Sequence, residues 1–447
     1  MIIISPARLK GRVSMPPSKS MSIRVLAGSF LAGKETSLRG AWPKDGSRVC
    51  EDVQAAYRVV RSVGSQFVKE DIWPNLVPGR ENSKRQLDCG DSALAIRMFA
   101  PILALSASIY CLRGRTTLIT RPMDFVINGL RELGCWCESL NTLPTLSIID
   151  NLKDSGHWES KDPSLSMSRP ILLVQGPLRG GKYKMNAGGS SQFLSGLLMA
   201  LPLAEQDSIL EVNHLASQPY IDLTLQVMES FGVRVTHDNY TVFHIPGRQK
   251  YSARKMAIEG DWSVAANFIA GAALFGDLRI GELWKESLQA DKAFLEAAAL
   301  AGATWSWGRG RQLKVYKMPH LQGFTFDAQP YPDLFPSLVA MAVHCQGTSR
   351  IHGLDRLFAK ESNRALGLME EFSKMGANIR LEDNNMIIEG GALPGGVEVS
   401  ARGDNRIAMA LAIAGLGAEK PIQLEGQHTV SKSFPDFWEE LAGVTRL

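Results

Sequence analysis

The chain has 447 residues, a formal net charge of +4, 45% hydrophobic and 21% charged residues, a length beyond one ordinary core that predicts two globular domains. Its longest apolar runs, such as 193–204, fall well short of the ~20 residues that span a bilayer, and the opening Met1-Ile2-Ile3-Ile4-Ser5-Pro6 is broken too early for a signal peptide. The mild charge without Lys/Arg clusters and interleaved aromatics excludes a nucleic-acid binder, and the six cysteines (Cys50, Cys89, Cys111, Cys135, Cys137, Cys345) show no CxxC and no His-containing metal spacing, so a reducing, cytoplasmic compartment without metal or disulfide is expected.

A strand is expected within 1–14. The stretch Pro16-Pro17-Ser18-Lys19-Ser20-Met21-Ser22-Ile23-Arg24 then sets three serines, a lysine and an arginine at the head of the apolar run 25–33. This predicts a buried helix whose unpaired N–H groups, dipole, hydroxyls and cations attract an anion. In this segment alone a plain serine cap with solvated cations reads equally well. The pattern returns, however. Helices apolar all round are predicted at 23–31, 93–105, 192–204, 264–275, 334–344 and 405–416, after Ser22, Ser92, Ser191, Ser263, Asp333 and Asp404, at intervals of 70, 99, 72, 70 and 71 residues. Between them, amphipathic helices end in hydrophobic–glycine pairs: Val63-Gly64, Leu133-Gly134, Phe231-Gly232, Ala301-Gly302, Met375-Gly376 and Ala442-Gly443. Glycine there supplies a left-handed cap. Alternating strands are expected at Val233-Arg234-Val235 and Ala377-Asn378-Ile379-Arg380-Leu381.

A ~70-residue period repeated six times predicts one supersecondary unit per repeat. The expected class is α/β: two domains, each of three repeated α/β units. An all-apolar helix must lie inside its domain and the amphipathic one outside. If the buried helices run parallel, their N-termini gather on one face of each domain, and two such faces opposed make an anion-attracting cleft. The 99-residue interval reflects extra residues between 140 and 184, with the polar stretch 150–168 expected as a surface excursion. The crossing between domains is expected at 244–253. With 1–14 completing the other domain and Pro16-Pro17 as a second crossing, one domain is 17–248 and the other is 1–16 plus 249–447.

Seven motifs occur in order along the chain: Pro17-Ser18-Lys19-Ser20-Met21-Ser22-Ile23-Arg24, Arg121-Pro122-Met123, Ser190-Ser191-Gln192-Phe193-Leu194, Ser217-Gln218-Pro219-Tyr220-Ile221-Asp222, Leu357-Phe358-Ala359-Lys360-Glu361-Ser362-Asn363-Arg364, Asp404-Asn405-Arg406-Ile407-Ala408-Met409-Ala410 and Thr429-Val430-Ser431-Lys432-Ser433-Phe434-Pro435-Asp436. One would be a weak signal; the ordered set resembles the 5-enolpyruvylshikimate-3-phosphate synthase family. The resemblance implies two three-unit domains (an inside-out α/β barrel in each), substrates in the interdomain cleft, and no metal or organic cofactor. The implied reaction moves the enolpyruvyl group of phosphoenolpyruvate onto the 5-hydroxyl of shikimate 3-phosphate and releases phosphate, a step of the shikimate pathway toward chorismate and aromatic amino acids. A cytoplasmic monomer with small-molecule substrates, no nucleic acid and no membrane partner is expected.

Both substrates carry a phosphate and a carboxylate. A like-charge pair at ~4 Å costs about 4 kcal/mol at an effective dielectric of ~20, so fixed cations must line the cleft. By resemblance, Arg24, Ser190, Ser191, Ser217, Tyr220 and Lys360 hold shikimate 3-phosphate, and Ser20 binds substrate. Arg121, Arg364, Arg406 and Lys432 hold phosphoenolpyruvate against Ala93, with the catalytic Lys19 and Gln192 between the two. Arginine's planar fork suits both anionic groups. Asp333 resembles the residue beside the 5-hydroxyl and Glu361 the proton donor, roles two carboxylates can divide if their surroundings separate their pKa values. Taken singly, each cation reads as a solvated charge, Asp333 as a helix cap and Glu361 as a local ion pair with Lys360 or Arg364.

The sequence departs from the family pattern in four places. Ile23 stands where Asn or His is usual, Asn363 where Asp is, and Asn405 where His is. The loop Cys89-Gly90-Asp91-Ser92-Ala93-Leu94-Ala95-Ile96-Arg97 has Ala93 at a glycine position and Leu94 at a threonine position. In the family the herbicide glyphosate competes with phosphoenolpyruvate against that glycine, so Ala93 implies glyphosate tolerance. The departures leave a non-catalytic or altered-substrate paralogue as an alternative. The related transferase acting on UDP-N-acetylglucosamine is another, but its motif has Lys-Asn and a catalytic Cys loop, whereas Lys19 is followed by Ser20.

Overall fold

The structure, a computed structural model, describes residues 1–33, 36–42, 49–68, 75–78, 86–139, 168–188, 190–215, 217–358 and 360–446. The excursion expected at 150–168 lies outside the described residues except for Ser168, which is buried and receives hydrogen bonds from Arg113.

The six apolar helices are α1 (Lys19–Ala32), α2 (Ala93–Leu103), α3 (Ser191–Ala200), α4 (Trp262–Phe275), α5 (Phe335–Ala342) and α6 (Asn405–Gly415). Every residue of α2, α5 and α6 is buried, as expected of helices with no polar face. Side-chain oxygens of Ser18, Ser92, Ser190, Asp261 and Asp404 accept first-turn N–H bonds. The caps of α1 and α4 therefore precede Ser22 and Ser263, because the N–H of Ser22 already bonds the Ser18 carbonyl inside the first turn. No side chain caps α5: Asp333, read as a possible cap, spends its carboxylate on arginines instead.

Amphipathic helices Glu51–Gly64, Asp124–Glu132, Gln218–Ser230, Phe294–Leu300, Arg364–Lys374 and Phe437–Val444 alternate with them. Gly134, Gly232, Gly302 and Gly376 follow four of these at positive φ, the left-handed stop expected of them. Gly64 and Gly443 instead lie within their helices.

One topology repeats. A strand runs into a buried helix, then a parallel strand, an outer helix and an antiparallel hairpin. The strands Gln86–Asp88, Tyr110–Gly114, Arg169–Gln175 and Trp136–Ser139 form one such sheet, in that order. Lys182–Asn186, Ser208–Asn213, Val242–Ile245 and Thr236–Asp238 form the next, and Thr325–Asp327, Gly347–His352, Asn385–Gly390 and Asn378–Glu382 another. Two units borrow their first strand from across the chain. Arg8–Ser14 runs parallel to Gly276–Gly281, and Lys255–Ile258 runs parallel to Ser37–Gly40. Ile2–Ile4 pairs with Ile422–Glu425. The strand expected at Val233-Arg234-Val235 begins only at Thr236. Beside it the Gln249 amide bonds both the N–H and the carbonyl of Arg234, occupying the place of a neighbouring strand.

Two large hydrophobic clusters form among the described residues, beside a small one of Cys111 and Leu173. One runs from Met21 to Ile258; the other joins Ile4, Leu9, Val13 and Met15 to residues from Trp262 to Val444. In the sequence, Pro16-Pro17 and residues 259–261 are the two passages from one set of core residues to the other, and Lys255–Ile258, after the stretch 244–253, pairs with Ser37–Gly40. The two passages are tied together: Ser18 N–H donates to the Glu259 carbonyl at 2.8 Å and Asp261 N–H to the Pro16 carbonyl at 2.9 Å.

Candidate active site

The first turns of α1, α2, α3 and α6, with Pro332 and Asp333 ahead of α5, open onto one cavity of about 320 Å³. Because each of these starts brings unpaired N–H groups, the site is built for anions before any side chain is counted. The lining carries Lys19, Arg24, Arg97, Arg121, Arg356, Lys360 and Arg406 against only four carboxylates, Asp52, Asp333, Asp355 and Glu361. Ser20, Ala93, Leu94, Gly188, Ser190, Ser191, Gln192, Ser217 and Tyr220 complete the wall with Pro332. Of the residues singled out in the sequence, all line this cavity except Arg364 and Lys432.

Arg364 is fully buried and bridges three carboxylates: Asp404 at 2.9 Å, Asp333 at 3.0 Å and Glu361 at 2.6 Å. Its guanidinium fastens both candidate catalytic acids from behind. Lys432 donates to the Gly403 carbonyl at 3.3 Å, with Thr117 at 3.5 Å. Around the cavity Arg121 reaches Glu361 at 2.8 Å, Arg406 reaches Asp333 at 3.1 Å, Lys360 lies 3.5 Å from Asp333, and Lys19 lies 3.0 Å from Asp52. Burial opposes ionisation of Asp333, yet Arg406, Lys360 and Arg364 hold its carboxyl well below the usual range. Burial likewise opposes ionisation of Glu361, and Arg121 and Arg364 hold it low as well. The site drives both acids in the same direction, toward the ionised form. Burial pulls the Lys360 ammonium down to about 8, and Arg364 adds to the effect against Asp333. Burial also works against the Lys19 ammonium, but Asp52 and Glu361 leave it above its usual value.

Arg24, expected in contact with substrate, lines the cavity and gives four of its five donors to protein: Thr224 Oγ1 at 2.8 Å, the Ser20 carbonyl at 2.8 Å, Ser195 Oγ at 3.3 Å and the Tyr220 carbonyl at 3.2 Å. Of the departures, Ile23 is packed in the core. Asn363 caps the helix Arg364–Lys374 through its side-chain oxygen. Asn405 donates to Ser433 Oγ at 2.6 Å. These three keep local structure intact; Ala93 and Leu94 alone stand on the cavity wall.

Sequence reasoning passed over Asp52, Arg97, Asp355 and Arg356. Arg97 had a signal: it is a lone charge in the apolar helix α2, and a buried charge needs partners. It donates to Gln192 Oε1 at 3.0 Å and the Pro122 carbonyl at 2.9 Å, with Phe125 beneath its guanidinium. Asp52 and Arg356 reach the cavity only through tertiary packing.

A family model described as EPSP synthase (3-phosphoshikimate 1-carboxyvinyltransferase) matches residues 3–441. The chain belongs to the EPSP synthase family. A 3-phosphoshikimate 1-carboxyvinyltransferase of Clostridium novyi is 31% identical, covering 99% of this chain and 97% of its own. One of Clostridioides difficile is 33% identical, covering 98% and 95%. The solved structure of an EPSP synthase from Acinetobacter baumannii superposes with a TM-score of 0.77 at 22% identity, covering 99% of this chain and 98% of its own, a likeness of α/β fold. Among the described residues no helix is long and apolar enough to cross a membrane.

Proposed function

We propose that this cleft transfers the enolpyruvyl group of phosphoenolpyruvate to the 5-hydroxyl of shikimate 3-phosphate and releases phosphate, as a cytoplasmic monomer of the shikimate pathway. The observation that carries the reading is the convergence of helix starts and seven cations, against four carboxylates, on one cavity. Membership of the EPSP synthase family supports it and weighs against the UDP-N-acetylglucosamine alternative. The fold reading that goes with it is two inside-out α/β barrels with parallel buried helices: 17–258 forms one domain, and 1–16 with 259–447 forms the other.

In this reading Ser20, Ser190, Ser191, Ser217, Tyr220 and Lys360 hold shikimate 3-phosphate. Arg121, Arg406 and Lys432 take phosphoenolpyruvate, with Lys19 and Gln192 between the substrates and Arg24 and Arg364 as buried supports. Without substrate, Glu361 and Asp333 act as the counter-ions of Arg121 and Arg406. An incoming carboxylate or phosphate that takes Arg121 frees Glu361 from one of the charges holding its pKa low, so substrate binding itself prepares the acid. Asp333 takes the proton of the 5-hydroxyl as its oxygen bonds C2 of phosphoenolpyruvate, and Glu361 gives a proton to the C3 methylene. The Glu361 carboxylate left behind then takes a proton back from the resulting methyl group as the C2–O bond to phosphate breaks, and the leaving group's growing charge meets fixed cations. Phosphate release from phosphoenolpyruvate, assayed with and without shikimate 3-phosphate, tests the reading. Release is expected only with both substrates; none with both would overturn it.

A further inference from the structure

At the serine end of the cavity the sequence offers Arg24 as the arginine for an anion, but four of its five donors are already spent on Thr224, Ser20, Ser195 and Tyr220. Lys360 leans toward Asp333. A third cation reaches this end from the opposite half. Arg356 closes the short 3-10 helix Leu354–Arg356 and lines the cavity. Its Nη2 donates to Ser217 Oγ at 3.0 Å, across the cleft. Its Nη1 is enclosed and has no hydrogen-bond partner. An enclosed charged donor left unpaired is costly, and a guanidinium with one edge free is shaped for a tetrahedral anion that brings two oxygens. Asp355, Tyr220 and Asp333 lie close enough to act on its charge, but they leave that nitrogen unpaired.

We propose that Arg356 is a specificity-determining residue that binds the phosphate of shikimate 3-phosphate together with Ser217, so that the phosphorylated substrate is selected over its unphosphorylated form. The inference rests on the function proposed above. Because Arg356 and Ser217 belong to opposite halves, the phosphate that joins them also pins the halves together.

Calorimetric titration of the full chain, Arg356→Gln and Arg356→Lys with shikimate 3-phosphate and with shikimate tests the assignment. Arg356→Gln should weaken shikimate 3-phosphate about 10- to 150-fold, the range for losing a charge-assisted hydrogen bond, while shikimate affinity stays within about twofold of the unaltered chain. Arg356→Lys, which keeps the charge but not the fork, should fall between the two. In turnover the loss should fall more on KM for shikimate 3-phosphate than on KM for phosphoenolpyruvate. If Arg356→Gln binds shikimate 3-phosphate as tightly as the unaltered chain, or loses both ligands equally, the assignment is wrong. If the unaltered chain itself neither binds nor turns over shikimate 3-phosphate, the underlying function is wrong as well, which separates the two failures.

Discussion

Ala93 is the first residue of α2 after its cap Ser92, and it stands on the cavity wall with Leu94 beside it, each 7% exposed. A methyl group in a slot the family lines with glycine should exclude the longer anion glyphosate more than phosphoenolpyruvate. Overpacking by one methyl costs about 1–3 kcal/mol, roughly 5- to 150-fold in affinity. Glyphosate tolerance is therefore expected, with a raised KM for phosphoenolpyruvate, and Ala93→Gly should restore inhibition; equal inhibition constants for the two proteins would sink the steric argument. Lys360 sets a second expectation. Burial lowers its pKa to about 8, against ~10.4 in an unfolded chain. Between these values the unfolded chain holds the proton that the folded one has released, so this group's contribution to stability rises with pH. Anion binding moves the other way, because above about 8 the ammonium must regain a proton before it can pair. Affinity for shikimate 3-phosphate should fall by up to ~10-fold per pH unit above that point. Titrations at pH 7 and 9 check this, and Lys360→Arg should flatten the profile.

The elements that join the halves act as a single device. Ser18 caps α1, donates to Gln289 Oε1 at 2.8 Å and bonds the Glu259 carbonyl, while the Lys19 N–H donates to Asp261 at 2.9 Å. Gly260 sits in the middle, where an added Cβ would lie 2.8 Å from Met15 Cβ and 2.9 Å from the Glu282 carbonyl. Gly260→Ala should lower the thermal midpoint by an amount equivalent to about 1–3 kcal/mol. It should also lower kcat/KM, since Lys19 moves with the passage; an unchanged melt and rate would show that the passage yields freely. The apolar helices were legible in the sequence because burial on all sides leaves no polar face, and because five of the six are capped by a serine or aspartate. The pairing of Lys255–Ile258 with Ser37–Gly40 was not, since both strands are short and lie about 200 residues apart. Cavity side chains borne on motifs could be named in advance. Asp52 could not, because a first-turn acid on an outer helix looks like any solvated charge until Lys19 is brought to it.

For the whole molecule, the cleft is spanned by Arg121 to Glu361, Arg356 to Ser217, and Ser431 to Glu51 at 2.7 Å. The cations outnumber the carboxylates in its lining, so without anionic substrates their repulsion favours opening, and neutralisation favours closure. Small-angle scattering with saturating shikimate 3-phosphate should give a smaller radius of gyration than without it. No change would count against closure. The exchanged strands carry a further consequence, for how the chain comes off the ribosome. The cluster from Met21 to Ile258 can assemble once that stretch has emerged. Arg8–Ser14, by contrast, is made early and waits for Gly276–Gly281, and Ile2–Ile4 waits for Ile422–Glu425. At 5–20 residues per second the first wait lasts on the order of 10–50 s. Through that time a short strand, three of its residues basic and only Leu9 and Val13 destined for the core, stays unpaired beside a finished half, the first place a protease would cut.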